Sequence, residues 1–424
     1  MRILFTVSPG TTTFNAMVPM AWALRTAGHD VRVASQPLFA DEITQAGLTA
    51  VPVGRSLGIP RLLLAMGLDS ATVEETRAGF PPPYNIWEES AGARWEDTLP
   101  AFGAVVDGAK YETFAIATAL VEFARSWEPD LVVWEPLTPV GAIAAKACGA
   151  AHARLLYGID AFGLARQKFL AMKNEQPEPE QGDPVADWLG GYARKYGGEY
   201  SEDMAVGHFT IDQIPASLQT EADLHYLRTP YIPYGGRAVV PGWLQRRPER
   251  PRVALTMGLS ATGYFSGYTV NVRDILDALS DLDVEVVATV AEEEQSALDP
   301  LPDNARVVSF VPLHVLAPTC SVAITHAGFG TLTSFAPHGV PQLTLPYHFD
   351  EPMLGRKLAE QGAGLYLDPT EATGEAVREG VVRLLEDREL RGGAARLAGE
   401  IAELPTPNEL VPRIEELTRK HCAR

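Results

Sequence analysis

The sequence predicts an α/β protein with two domains, each built on a parallel, doubly wound sheet. Its 424 residues exceed the size of one ordinary domain. Short apolar runs, typical of buried parallel strands, alternate with helical patterns in both halves of the chain. The alternation stops at residues 229–251, where prolines, paired glycines and clustered arginines indicate an exposed linker. We therefore expect an N-terminal domain at 1–228, a second domain at 252–405, and an amphipathic helix at 406–424 that packs back on the first domain.

The first domain opens with a βαβαβ pattern, which is the start of a doubly wound sheet. The pattern predicts strands at residues 3–7, 31–35 and 48–53, a loop at 8–13, a helix from Asn15 to Gly28 and a short helix at 41–46. No Gly-x-Gly-x-x-Gly follows the first strand, so we expect no nicotinamide or flavin site there.

Residues 55–110 are predicted to form long loops in which Trp87 and Trp95 are aromatic anchors. Such loops are often functional, and simple packing of the loop on the domain is an equal alternative. The later pattern predicts a helix at 113–127, strands at 129–135 and 151–156, and a helix at 139–148. The first of these strands ends at Glu135, and doubly wound folds place active groups at the carboxyl ends of strands.

In the second domain, residues 320–331 combine a buried strand, a turn with two glycines and the start of a helix. The first N–H groups of a helix have no partner within it, so such a turn can bind an anion. His326 stands at this turn and can donate a further hydrogen bond to a phosphate oxygen. An ordinary strand-to-helix turn with a surface histidine is the alternative.

Two carboxylates, Asp350 and Glu351, follow the next predicted strand, at residues 339–346. A phosphate-binding turn followed by carboxylates is the order expected of a nucleotide-sugar site. Backbone amides would hold the diphosphate, and the carboxylates would hold sugar hydroxyls.

The charge balance limits the possible partners. There are 35 lysines and arginines against 54 aspartates and glutamates, a net charge of -19, which argues against nucleic acid and against an anionic membrane. The three cysteines lack metal-ligand spacing, so we expect no disulfide and a reducing cytoplasm. We find no signal-peptide pattern and no apolar run near the roughly 18 residues of a membrane span.

Segments across the whole chain resemble the antibiotic glycosyltransferases of actinomycetes, which have the GT-B fold. They are residues 18–25, 27–33, 46–54, 150–156, 302–306 and 311–314, together with the sequences around His326, Gly339 and Asp350. Glu351 stands where this family usually has glutamine. The resemblance is greatest to the erythromycin and daunorubicin type, and it implies two Rossmann-like domains that face each other across a cleft.

The resemblance also implies an activity. Members of this group transfer a deoxysugar, often an aminodeoxysugar, from a dTDP-sugar to a polyketide-type aglycone with inversion and without a metal or cofactor. Several members work with a separate helper protein related to cytochromes P450. A homodimer is left open.

The family motif assigns roles to particular residues. His326, Gly328, Gly330 and Thr331 would hold the diphosphate, Gly258 and Ser260 would form the facing turn, Val311 and Leu313 would flank the base, and Asp350 and Glu351 would face the sugar. Members that use UDP often have a glutamate at the position of Ser334 to bind the ribose diol. Its absence here fits dTDP, whose 2′-deoxyribose has no diol.

One expected residue is missing. These enzymes usually carry a histidine base in the loop after the first strand, and Thr13 occupies that position. A threonine hydroxyl cannot act as a base at neutral pH, so Thr13 is otherwise a loop residue or helix cap. Glu135 is the substitute candidate. A phenolic acceptor would need less help, and its ortho carbon could give a C-glycoside, so both O- and C-linkage stay open. The alternative is a catalytically impaired homologue that acts as a binding or helper protein.

Overall fold

Two parallel sheets form the framework of the protein. The computed structural model describes residues 1–57, 79–88, 92–258, 270–346 and 348–423. The first sheet has the order β3-β2-β1-β4-β5-β6-β7. Its strands are β1 (Arg2–Thr6), β2 (Asp30–Ser35), β3 (Thr49–Pro52), β4 (Leu131–Trp134), β5 (Ala151–Leu155), β6 (Phe209–Asp212) and β7 (Tyr226–Arg228).

The second sheet has the order β10-β9-β8-β11-β12-β13. Its strands are β8 (Arg252–Thr256), β9 (Glu285–Thr289), β10 (Ala305–Val308), β11 (Val322–Thr325), β12 (Gln342–Thr344) and β13 (Gly364–Tyr366). All strand pairs in both sheets are parallel. The predicted fold class, two doubly wound domains, is therefore confirmed.

Helices cover both faces of each sheet. In the first domain they are α1 (Thr11–Thr26), α2 (Ala40–Gln45), α3 (Trp95–Trp127), α4 (Val140–Cys148), α5 (Ala161–Asn174), α6 (Pro184–Lys195) and α7 (Asp203–Val206). Those that follow are α8 (Val272–Ala278), α9 (Glu292–Gln295), α10 (Leu313–Leu316), α11 (Phe329–Phe335), α12 (Glu351–Glu360), α13 (Gly374–Glu386), α14 (Arg388–Glu403) and α15 (Pro407–His421).

The strand order determines where a ligand can bind. In the first sheet the order reverses between β1 and β4, and in the second it reverses between β8 and β11. Helices that run to opposite faces leave a crevice at the carboxyl ends of the strands where the order reverses. Each domain therefore offers one crevice, and the predicted site residues belong to the turns that border these two crevices.

Two predicted loops are helical in the structure. Helix α1 begins at Thr11, with Gly10 as its N-cap, so the predicted loop at 8–13 is correct for residues 8–10 and wrong for 11–13, and Thr13 lies in the first helical turn. Helix α3 begins at Trp95, so residues 95–110 are also helical. Burial explains both errors, because packing of Thr13 and of an apolar face of α3 outweighs the weak helix propensity of threonine and the presence of Pro100. The predicted loop residues 58–78 and 89–91 lie outside the described residues.

An apolar cluster joins the two domains. The inter-domain cluster takes Ala16, Ile159, Leu164, Ile214, Leu218 and Ala222 from the first domain and Ala327, Phe329, Leu332, Ala336, Leu354 and Leu358 from the second. The ring of Tyr231, in the predicted linker, meets the ring of Phe329 edge-on at 4.9 Å. The domains are thus packed against each other beside the carboxyl ends of both sheets.

The last helix, α15, packs on the first domain. It begins with a capping box between Thr406 and Glu409. Its apolar residues Leu410, Val411, Ile414 and Leu417 share one buried cluster with residues of α1 and β1. The chain therefore crosses back over the domain pair after completing the second sheet.

We expect Ile414→Ala to lower the free energy of unfolding by about 2–5 kcal/mol, because Ile414 is fully buried and truncation leaves a cavity. Urea unfolding followed by fluorescence measures the change. Arg413→Ala, an exposed neighbour on the same helix, is the matched control and should change stability by less than about 0.5 kcal/mol. Equal effects of the two substitutions would contradict the packing of α15 on α1.

Candidate functional site

The residues expected to bind the sugar donor come together in the second domain, at the carboxyl ends of neighbouring strands. Gly258 follows β8, the segment from His326 to Gly328 follows β11, and Asp350 with Glu351 follows β12. Since β8, β11 and β12 are neighbours in the sheet, their carboxyl ends bring these turns side by side. Ser260, expected in the turn after β8, lies outside the described residues.

The His326 ring is packed between two glycines. A Cβ added at Gly258 would lie 2.6 Å from His326 Cε1, and one added at Gly328 would lie 2.1 Å from Nε2. Gly258 also has a φ of 73°, which favours glycine. These two glycines are thus required by the imidazole between them. The ring orientation is fixed before any ligand arrives.

His326 forms one side of a buried charge cluster with Glu351. Its Nε2 lies 3.7 Å from Glu351 Oε1, and His348 Nδ1 lies 3.4 Å from the same oxygen. The His348 amide donates to Glu351 Oε2 at 2.9 Å. Burial raises the pKa of Glu351, but His326 and His348 together hold the pKa below its ordinary value. Glu351 is thus an anion that orients two histidines, while its expected contact with the sugar stays a prediction.

The other ring nitrogen of His326 lacks a hydrogen-bond partner among the described residues. Nδ1 is buried, and no group of the described residues bonds to it. A buried ring nitrogen without a hydrogen-bond partner destabilises the folded protein. A ligand group that forms a hydrogen bond with it would therefore be stabilising.

The turn beside His326 also presents main-chain groups. Ala327 has a φ of 62°, and its amide donates to Thr325 Oγ1 at 3.2 Å. The first backward bond in α11 runs from Thr331 N–H to the Gly328 carbonyl at 3.0 Å. The amides of Gly328, Phe329 and Gly330 precede this bond and have no partner within the helix. Together with His326, these amides can bind an anionic ligand.

The remaining expected donor residues lie around this turn. Gly330 faces Tyr231, whose hydroxyl would be 3.2 Å from an added Cβ, and Thr331 is half-buried. Val311 is buried and Leu313 is partly buried in an apolar cluster beneath the start of α10. Ser334 is buried and donates to the Gly330 carbonyl at 2.6 Å, so a glutamate at this position would enter the protein interior. Burial by itself therefore also explains why position 334 carries a small residue.

Asp350 reaches across to the first domain. The Ile159 amide donates to Asp350 Oδ2 at 3.3 Å, and Gly158 lies against the same oxygen. Burial raises the pKa of Asp350 to about 7, and the charge of Glu351 contributes in the same direction. This carboxyl is consequently held at the junction of the two domains.

Glu135 lies at the crevice of the first domain and is fully buried. It accepts hydrogen bonds from the Ser8 amide at 3.2 Å, the Ser8 hydroxyl at 3.0 Å, the Leu137 amide at 2.7 Å and the Thr138 hydroxyl. Burial raises its pKa, and these bonds oppose the rise. Three of these bonds go to Oε1 and one goes to Oε2. Glu135 therefore anchors the loop after β1, and this arrangement weighs against a role as a free base.

Thr13 lies beside Tyr157, a residue after β5 that no sequence pattern assigned to the site. Burial raises the pKa of Tyr157 well above its ordinary value, and the nearby carboxyls of Glu135 and Asp350 act in the same direction. Thr13, Glu135, Tyr157 and Asp350 thus converge from four separate segments. No local pattern marks Tyr157, and only its position at the end of a predicted strand could have indicated it.

The aromatic residues of the 79–88 segment lie near the same junction. Phe80, Trp87 and Tyr157 pack against the inter-domain cluster. The ring of Tyr84 lies 4.7 Å from that of Phe162 in α5. An acceptor that entered between the domains would therefore meet aromatic side chains.

A second polar cluster lies near the amino ends of β5 and β6. His152 Nε2 and His208 Nε2 lie 3.0 Å and 3.7 Å from Asp203 Oδ2. The Trp134 indole donates to His152 Nδ1 at 3.3 Å, and the His152 amide donates to His208 Nδ1 at 3.1 Å. Both Nδ1 atoms then carry lone pairs, so both Nε2 atoms carry the protons. A metal needs an unprotonated nitrogen, and the cluster is better explained as hydrogen bonding within the fold.

The two halves of the chain match the two domain models of one family. The N-terminal domain of the erythromycin biosynthesis protein CIII-like family matches residues 22–258, and its C-terminal domain matches residues 273–417. The chain belongs to this family.

Curated relatives of this CIII-like chain transfer sugars. It is 42% identical to 10-deoxymethynolide desosaminyltransferase of Streptomyces venezuelae, over 99% of this chain and 98% of that enzyme. It is 39% identical to aclacinomycin-T 2-deoxy-L-fucose transferase of Streptomyces galilaeus, over 99% and 97% of the two chains. The CIII-like protein is a glycosyltransferase, which confirms the enzyme class and the family resemblance predicted from the sequence.

Solved structures support the same conclusion for the fold. The glycosyltransferase VinC in complex with dTDP superposes with a TM-score of 0.87 and 34% identity, over 99% of this chain and 100% of VinC. The GT-B architecture predicted from the sequence is thereby confirmed. Among the described residues of the CIII-like chain, no helix is both long and apolar enough to span a bilayer.

A buried carboxyl near Glu135 gives a pH-dependent prediction. Burial raises the pKa of Glu112 in α3 from 4.5 to about 8, and the charge of Glu135 contributes. The folded protein thus keeps a proton that the unfolded chain releases, so the stability contributed by this group falls as the pH rises between 4.5 and about 8. The slope is at most about 1.4 kcal/mol per pH unit.

We expect Glu112→Gln to remove this fall, so that the variant gains stability relative to the parent as the pH increases. Urea unfolding at several pH values in that window measures the difference. Glu122→Gln, an exposed position on the same helix, is the control and should show no trend. A difference between parent and Glu112→Gln that does not vary with pH would contradict the raised pKa.

Proposed function

We propose that the protein transfers a deoxysugar from a dTDP-sugar to a polyketide-type aglycone in antibiotic biosynthesis. The observation that carries this proposal is the turn built around His326, which offers a ring nitrogen and main-chain amides at the crevice of the second domain. The similarity to VinC, a glycosyltransferase solved with dTDP, supports the choice of nucleotide. The named relatives support the choice of deoxysugar and aglycone.

The donor diphosphate is held by His326 and by the amides of Gly328, Phe329 and Gly330. As the glycosidic bond to the diphosphate breaks, negative charge develops on the leaving oxygen. Donors that are already oriented stabilise this charge without reorganisation, so a divalent cation is not required for this step. The fixed position of the His326 ring between Gly258 and Gly328 supports such preorganisation.

The acceptor binds at the crevice of the first domain, beside Tyr157 and the aromatic residues of the 79–88 segment. It attacks the anomeric carbon from the face opposite the diphosphate. The diphosphate is bound by the second domain. A single displacement of this kind inverts the anomeric centre. The division of the two crevices between two facing domains supports this geometry.

Removal of the acceptor proton is the step with the least support from protein side chains. Thr13 cannot act as a base, and Glu135 already accepts four hydrogen bonds. A phenolic acceptor, with a pKa near 10, is much easier to deprotonate than an aliphatic alcohol. We therefore keep both linkages, an O-glycoside and a C-glycoside formed at the ortho carbon of a phenol.

We propose two further partners: a helper protein related to cytochromes P450, which the family resemblance implies, and a second copy of the chain in a homodimer. Assays with and without a purified helper would test the first, and sedimentation would test the second. Turnover of any dTDP-sugar would exclude the alternative of a catalytically impaired homologue.

We expect His326→Ala to weaken dTDP binding by about 1.5–3 kcal/mol, the value of a hydrogen bond to a charged group. Calorimetric titration in EDTA measures the affinity and tests metal independence in the same experiment. His338→Ala, an exposed histidine of the same domain, is the control and should bind as the parent does. Binding that needs magnesium would contradict the proposed charge stabilisation, and unchanged affinity in His326→Ala would remove this residue from the donor site.

The role of Glu135 is tested by comparing two acceptors on one preparation of Glu135→Gln. If Glu135 removes the acceptor proton, we expect the variant to lose about 10²–10⁴-fold in kcat on an aliphatic macrolide alcohol and much less on an aromatic phenol. The ratio of the two rates is independent of any general loss of folded protein. Product NMR determines the linkage. Efficient transfer to the aliphatic alcohol by both proteins would contradict both the base assignment and the preference for a phenol.

A further inference from the structure

Gly158 of the first domain lies directly against Asp350 of the second domain. A Cβ added at Gly158 would lie 2.3 Å from Asp350 Oδ2 and 3.2 Å from Asp350 Cγ, and the three nearest atoms all belong to Asp350. Gly158 is not among the described glycines with positive φ, so its backbone does not require glycine. The absence of a side chain at this position therefore has one evident consequence, which is room for the carboxylate of the other domain.

The neighbouring amide completes the contact. Ile159 N–H donates to Asp350 Oδ2 at 3.3 Å, and Ile159 itself belongs to the inter-domain cluster. A carboxylate has about four acceptor sites, so this bond occupies only part of its capacity. Oδ1 would lie 3.9 Å from the added Cβ at Gly158 and is the oxygen farther from this turn. One oxygen is thus held by the acceptor domain, and the other is left for a ligand.

The turn that carries Asp350 is itself constrained. Phe349, the preceding residue, has a φ of 51°, which is uncommon for an aromatic residue. The backbone of His348 is held by Glu351 Oε2. The direction of the Asp350 side chain is consequently set from the second domain by this turn and from the first domain by Gly158 and Ile159.

We propose that Gly158 is a positioning residue that makes recognition of the donor sugar depend on closure of the two domains. This inference rests on the proposed function, in which Asp350 faces the sugar. When the domains are closed, the turn after β5 holds Oδ2 and directs Oδ1 toward a sugar hydroxyl. When they are apart, Asp350 is hydrated and less well oriented. The nucleotide is held by the second domain alone and does not sense this contact.

The proposal distinguishes binding of the nucleotide from binding of the sugar. We expect Gly158→Ala to bind dTDP with the affinity of the parent, because His326 and its turn are untouched. Its donor KM should rise, or its kcat fall, by at least about fivefold, which lies within the range of coupling between residues in contact. Unchanged dTDP affinity also shows that the second domain is folded. Gly191→Ala, where an added Cβ meets no atom within 4 Å, is the control and should have parental kinetics.

A double-mutant cycle with Asp350→Ala provides the decisive comparison. In the Asp350→Ala background the obstructing carboxylate is gone, so adding Gly158→Ala should change the kinetics less than about twofold. Parental kinetics of Gly158→Ala would overturn the proposal, and so would an equal loss in both backgrounds, which would indicate a general effect on the fold. A parent protein that fails to bind dTDP would instead contradict the proposed function and leave the structural contact intact.

Discussion

The packing of the His326 ring between Gly258 and Gly328 is the constraint on which the donor site depends. The ring occupies the volume where a Cβ on either glycine would lie, so it joins the turns after β8 and β11. Glu351, at the start of α12, connects the turn after β12 to this arrangement, because its carboxylate interacts with His326 and His348. Three turns of one sheet edge are in this way organised around a single imidazole. A ligand at Nδ1 would therefore be sensitive to changes in any of them.

An acidic chain that binds a diphosphate needs local compensation. The net charge is -19, and the site itself contains Asp350 and Glu351. The histidines stabilise Glu351 as an anion, whereas burial and that neighbouring charge raise the pKa of Asp350 to about 7. Two adjacent carboxyls thus differ in pKa because their partners differ. The proposed donor site uses amides and one imidazole for the diphosphate, so its attraction for anions acts only at short range.

Much of the framework could be predicted from the sequence because it depends on local apolar patterns. The buried strands and the turn after β11 follow from such patterns. The N-terminal half of α3 and the start of α1 could not be predicted, since burial against distant elements determines both. The contacts of Tyr157 with Thr13 and of Gly158 with Asp350 join segments far apart in the chain. They have no sequence signature of their own, and neither do the four hydrogen bonds to Glu135.

Backbone strain indicates which turns carry the function. Among the described residues, three that are not glycine have a positive φ, namely Glu128, Ala327 and Phe349. Glu128 ends α3 and is explained as a helix cap. Ala327 and Phe349 have no such explanation, and each lies beside a group proposed to bind the donor, His326 or Asp350. Such conformations persist only where the surroundings enforce them, and they concentrate at binding sites. The two turns of the second domain are thus held in place by the fold itself. In the proposed closure, Gly158 and Ile159 of the first domain complete a site whose sugar-donor part is already formed in the second domain.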